Sequence, residues 1–179
     1  MKLRILTIGL VAAVLLPAAA LADTVTPADK ANGARACQAL RASLTEATFK
    51  ATYGTNADKS NAFGKCVSKW TRAEHQNRVA ADAACKAEQA DAGFAAAHDG
   101  KTFDQFYGTG KNGANALQHC VQLKRQAASA EERQATVNAA RSCKAERKSL
   151  GTEAFVSKYG TKANAFGKCV STLAKAQHG

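Results

Sequence analysis

Apolar residues recur along this chain at helical spacing. Cys37, Leu40 and Leu44 fall on one helix face, and Phe49 and Tyr53 form an i, i+4 pair that Phe155 and Tyr159 repeat. Alanine is abundant, β-branched residues are sparse, and proline occurs only at Pro17 and Pro27. This pattern predicts an all-α chain. Phe63 and Phe166 fall just inside a further helix, and we read all these aromatics as core.

The helical pattern is written three times, with two cysteines in each copy. Copy one holds Cys37, Tyr53-Gly54-Thr55 and Asn61-Ala62-Phe63-Gly64-Lys65-Cys66. Copy three holds Cys143, Tyr159-Gly160-Thr161 and Asn164-Ala165-Phe166-Gly167-Lys168-Cys169. Copy two is looser, with Cys85, Tyr107-Gly108-Thr109 and Asn115-Ala116-Leu117-Gln118-His119-Cys120. The boundaries that follow are a leader over 1–22 and repeats over 23–73, 74–128 and 129–179.

Spacing constrains each copy. In a plain two-helix hairpin, Cys37 would lie about 24 Å from the loop and Cys66 about 7.5 Å from it. A disulfide needs Cα atoms within about 7 Å. A break inside the copy removes the conflict. Ser149-Leu150-Gly151-Thr152-Glu153 offers a helix stop, an N-cap and an acidic first turn. Leu44-Thr45-Glu46 and Gly100-Lys101-Thr102 stand at the same place. Each copy is therefore expected to hold three helices. A short second helix ends at Tyr53, Tyr107 or Tyr159 with a Gly C-cap, and a third starts at an Asn N-cap: Asn61, Asn115 or Asn164. The six extra residues of copy two are expected to lengthen helix one or the turn at Asp99-Gly100.

The joins between copies leave two alternatives open. Long stretches without proline favour continuous helices running from one copy into the next, giving a rod of linked bundles. Thr71-x-x-Glu74 and Ser129-x-x-Glu132 match capping boxes and favour fresh helix starts. Thr26-Pro27 marks the start of the first copy.

The N-terminus adds an address. Lys2 and Arg4, an apolar run from Ile5 to Leu16 and Ala20-Leu21-Ala22 have the plan of a secretory signal, with cleavage expected after Ala22. An uncleaved anchor is the weaker reading, because the apolar run is short for a span. No other stretch is apolar enough to cross a bilayer. Six cysteines in an exported chain point to three disulfides. The repeat selects Cys37–Cys66, Cys85–Cys120 and Cys143–Cys169 among 15 pairings.

Without Lys2 and Arg4, the 25 basic residues fall to 23 against 14 acidic ones, a formal charge of +9. Such an excess favours anionic wall polymers or lipid head groups, although scattered charge also serves solubility. Nucleic acid ranks lower, because the aromatics are few and committed to cores. No nucleophile elbow, phosphate loop, dinucleotide fingerprint or metalloprotease helix is present, and no cofactor or metal is expected. His75, His98, His119 and His178 do not recur between copies and read as surface residues. Glu46 and Glu153 recur as first-turn acids.

The sharpest candidate for binding is the loop before helix three. It carries Lys59 and Lys65 in copy one, Lys111 in copy two, and Lys162 and Lys168 in copy three. Its Gly and Asn are first explained by capping. The functional alternative is a repeated anion-contacting surface at helix N-termini.

The Tyr-Gly-Thr … Asn-Ala-Phe-Gly-Lys-Cys-Val-Ser stretch resembles small exported actinobacterial repeat proteins of unknown function. The match is close at 53–68 and 159–171 and weak in copy two. The resemblance implies export and a helical fold, and it carries no activity. The expectation is a secreted, non-enzymatic binding or structural protein of the envelope or extracellular space. A secreted hydrolase with a cleft between copies and a cationic membrane-active effector are the alternatives. Oligomeric state is left open.

Overall fold

The computed structural model describes residues 24–110 and 112–178. The expected signal segment with its cleavage after Ala22, and Lys111, lie outside the described residues, as does the side chain of His178. Among the described residues the chain forms seven helices and no strand: α1 (Pro27–Ser43), α2 (Glu46–Tyr53), α3 (Ala62–Ala90), α4 (Phe94–Ala97), α5 (Phe103–Tyr107), α6 (Ala116–Tyr159) and α7 (Ala165–His178). The chain is all-α.

Local chemistry accounts for most helix ends. Thr26 Oγ1 accepts from the Asp29 amide at 3.1 Å, and Asp29 Oδ2 accepts from the Thr26 amide at 2.9 Å, with Pro27 in the first turn. This box satisfies two amides that the helix itself leaves open. Thr45 caps α2, and Thr102 caps α5 in a reciprocal pair with Gln105. Gly151 interrupts α6 at φ 78° and ψ 165°, an extended positive-φ conformation that is essentially glycine-only and costs other residues about 1–3 kcal/mol. Breaks at Leu44-Thr45, at Thr102 and at Gly151 separate the short helices from the elements before them.

The insertion in repeat two folds as α4 and its flanking turns, with Asp99 and Gly100 both at positive φ. Helix one is not lengthened: α3 ends at Ala90, close after Cys85, much as α1 ends at Ser43 close after Cys37.

The joins are continuous. One helix, α3, carries Cys66 of repeat one and Cys85 of repeat two, and α6 carries Cys120 and Cys143. The capping boxes expected at Thr71-x-x-Glu74 and Ser129-x-x-Glu132 therefore sit in helix interiors. Packing overrides the local signal. Buried Cys66 and Trp70 keep the apolar stripe running into Glu74, and Ser129 is itself buried. Asn77 of α3 donates to Ser129 Oγ at 3.4 Å and to Glu132 Oε2 at 3.3 Å, so these polar groups tie the two long helices together.

The disulfides Cys37–Cys66, Cys85–Cys120 and Cys143–Cys169 form as expected, at Cα separations of 5.9, 6.0 and 6.0 Å. The expected rod is not formed. Repeats one and three share one core, in which Leu40, Phe49 and Trp70 meet Phe155 and Val170. Each such large apolar side chain contributes roughly 2–3 kcal/mol through burial. Repeat two keeps a separate small core of Cys85, Phe94, Phe103, Ala116 and Cys120. The α1–α3 crossing is close at Gly33, where an added methyl would stand 2.6 Å from the Thr71 backbone nitrogen.

Two expectations about side chains need correction. Phe63 is exposed, and Phe166 is only partly buried against the shared core. The buried stripe at the start of α3 runs through Ala62, Cys66 and Trp70, and Phe63 stands one residue off it. The histidines at 75, 98 and 119 are half-buried and hydrogen-bonded, not free surface groups. His98 stacks on Phe94 at 3.8 Å between ring centroids, and His119 Nδ1 lies 2.6 Å from the Tyr107 carbonyl.

Candidate functional site

The loops of repeats one and three lie side by side. Lys59 sits at φ 59° and turns its ammonium inward, donating to the Gly54 carbonyl at 2.7 Å and to the Ala163 carbonyl of the repeat-three loop. It acts as a clasp between repeats, with its charge already used. Lys168 stays exposed beside an open groove between α2 and α7, where Thr52, Thr55, Lys158 and Ser171 also lie. Lys65 is exposed in the first turn of α3, and Lys162 lies apart beside Arg147 and Phe155. Lys59 thus ties the two loops, Lys168 lines the open groove, Lys162 lines a different pocket and Lys65 lies in the first turn of α3.

The asparagines of these loops do not cap with their side chains. Asn61 Oδ1 accepts from the Thr55 amide at 3.0 Å, and its Nδ2 donates to Thr55 Oγ1 at 2.8 Å. Asn115 makes the same two bonds to Thr109 at 3.1 and 2.6 Å. The side chain closes the loop as a two-point clamp, which explains why Thr and Asn recur six residues apart. In repeat three the interval is shorter, and backbone bonds from Asn164 and Ala165 to the Thr161 carbonyl take over.

Each repeat gives its tyrosine hydroxyl a partner. Tyr107 donates to Glu88 at 2.9 Å and Tyr159 to Glu146 at 2.8 Å, and Lys124 and Lys158 neutralise those carboxylates at 2.7 and 2.6 Å. Burial raises the Glu88 pKa, but the bonds from Lys124 and Tyr107 outweigh it and hold the carboxyl below its ordinary range. At Glu146 the Lys158 bond dominates and acts in the same direction. Repeat one replaces this set with Leu40 and Trp70, whose indole donates to Tyr53.

The most enclosed charge is Asp29. Burial pushes its pKa up, and bonds from Thr26 and from Arg78, whose Nε lies 3.2 Å away, overcome that and hold it low. Arg78 also donates to His75 Nδ1 at 3.1 Å. The arginine is thereby committed to joining α1 to α3.

A second groove carries charge that the fold does not consume. It holds about 510 Å³ between α1, α3 and α6. Arg35, Arg125 and Arg133 line it, with no acidic partner at ion-pair distance among the described residues. Glu74 of α3 lies on its floor, 3% exposed, and makes no hydrogen bond or ion pair there among the described residues. These residues escape sequence reasoning because three helices contribute them, and no run of basic residues marks any one. The available signal was Glu74 itself, whose role as a cap required a helix start that the apolar stripe argued against.

Among the described residues no cluster of His, Cys, Asp and Glu could hold a metal, and no helix is long and apolar enough to cross a membrane. No family model, curated protein or solved structure matches this chain.

Proposed function

We propose that the protein is an exported, non-enzymatic binding protein of the envelope or extracellular space that holds anionic polymers or surfaces. The observation that carries this reading is the groove where Arg35, Arg125 and Arg133 converge with no carboxylate at ion-pair distance among the described residues. Arginine forks suit phosphate and carboxylate oxygens, and a groove concentrates their field. Three disulfides and the absence of a membrane-crossing helix among the described residues are compatible with export. The exposed Lys65, Lys162 and Lys168 add general attraction, and Lys59 adds none because its ammonium is engaged.

Retention of the pure protein on isolated cell wall, at low and high salt, tests this reading. Salt-sensitive retention that falls in an Arg35→Ala/Arg125→Ala/Arg133→Ala variant with unchanged helicity supports it. Retention that ignores both salt and the three arginines contradicts it.

A further inference from the structure

Glu74 is 3% exposed, yet no buried side-chain oxygen among the described residues lacks a partner, so its carboxylate opens onto the groove and gives it an acid beside the arginines. A carboxylate that faces a groove and has no cation in contact can accept hydrogen bonds from a ligand's ammonium. The nearby arginines do not approach it, and Arg35 donates to Asn32 instead. The neighbouring Ser129 hydroxyl, 2% exposed, accepts from Asn77 and so is tied to the helix pair. The groove therefore offers an acid on its floor and guanidinium groups around it. A simple anion would satisfy the arginines and meet repulsion from Glu74. A simple cation would satisfy Glu74 and be repelled by three arginines.

We propose that the groove binds a zwitterionic group, an ammonium next to a phosphate or carboxylate. The ammonium donates to Glu74, and the oxyanion rests against Arg35, Arg125 and Arg133. This deepens the anion-binding reading and rests on the same groove. A lipid head group, a polymer substituent or a free small molecule can each present this chemistry.

Calorimetric titration of the full exported chain with O-phosphoethanolamine, inorganic phosphate and ethanolamine tests the proposal. Phosphoethanolamine is expected to bind roughly tenfold or more tighter than phosphate, the scale of one charged hydrogen bond. The near-isosteric Glu74→Gln variant is expected to bring that ratio to about one without weakening phosphate. Arg125→Ala is expected to weaken both phosphate-bearing probes, and unchanged circular dichroism verifies that both variants fold. Equal binding of phosphate and phosphoethanolamine by the unaltered chain, or a preference that survives Glu74→Gln, overturns the zwitterion proposal and leaves the anion groove standing. Binding of neither probe overturns both readings. Co-sedimentation with phosphatidylethanolamine vesicles separates the sources: retention assigns a lipid head group, and binding of the soluble probe alone assigns a free or polymer-borne group.

Discussion

The indole of Trp70 donates to the hydroxyl of Tyr53 at 3.1 Å inside the core shared by repeats one and three. The equivalent tyrosines of the other repeats donate to carboxylates, Tyr107 to Glu88 and Tyr159 to Glu146. The difference follows the surroundings. Repeat one lies deepest in the shared core, where Leu40 replaces a glutamate that would have to be buried, and an uncharged donor serves the hydroxyl. Replacing Trp70 with Phe removes that donor and part of the packing. We expect a loss of about 2–4 kcal/mol in chemical denaturation. Lys124→Met, at the corresponding position of repeat two, is expected to cost about 1 kcal/mol or less, because that ion pair is a third exposed.

The tyrosines also predict a response to alkali. Burial lifts Tyr53 to about 12, and burial together with the Glu88 bond lifts Tyr107 to about 12, both from 10.0. A raised folded pKa means that the stabilisation is complete below pH 10 and is lost as pH rises toward 12. The tyrosinate absorbance of Tyr53 and Tyr107 is expected to appear only as pH approaches about 12 while the protein is folded, and Tyr53→Phe is expected to remove part of that late signal. Ordinary titration of Tyr53 and Tyr107 in the native protein would contradict the burial.

The carboxylates predict the opposite limb. Asp29, Glu88 and Glu146 are held below their ordinary values, so their contribution is present above the unfolded carboxyl range and disappears as pH falls through the folded values. Asp29→Asn is expected to flatten the acid limb of the stability profile, measured by thermal melting, more than Glu146→Gln, whose ion pair is more open to solvent.

The close helix crossing predicts that Gly33→Ala destabilises, although alanine is the better helix former by about 1 kcal/mol. The added methyl meets Thr71 backbone atoms that cannot rotate away. A net loss of about 1–3 kcal/mol in denaturant midpoint is expected. Gly64→Ala, on an open face of α3, serves as the control and is expected to stabilise slightly.

Repeat two is predicted to be the weakest unit, because its small core holds little beyond its disulfide. Replacing Cys85 and Cys120 with alanine removes about 3–4 kcal/mol of loop constraint. Hydrogen exchange is expected to speed up over α4 and α5 while α1 and α7 stay protected.

Much of this architecture was legible in the sequence. The interval between Cys37 and Tyr53 excluded a hairpin, and Thr45 and Gly151 marked where the extra helix begins. The cysteine pairs followed from the repeat. What escaped were features that depend on tertiary neighbours. Thr71 and Glu74 spell a helix start, yet α1 lies against Thr71 at Gly33 and Glu74 faces a groove, so both remain inside α3. Asn61 stands at a cap position but spends its side chain on Thr55. Lys59 looked like a free loop cation and proved to be a clasp to Ala163, more than a hundred residues away. The arginine groove lay furthest from view, since Arg35 and Arg133 meet only after three helices pack.

The central claim is that unbroken helices carry the chain from each stapled repeat into the next, which folds repeats one and three onto each other and creates the groove. Residue-resolved hydrogen exchange at Thr71–Glu74 and Ser129–Glu132 tests it most directly. Continuous helices predict strongly protected amides across both segments, as slow as those at Cys66 and Cys143. Rapid exchange at either segment, as expected for a fresh helix start with open first-turn amides, would contradict the account.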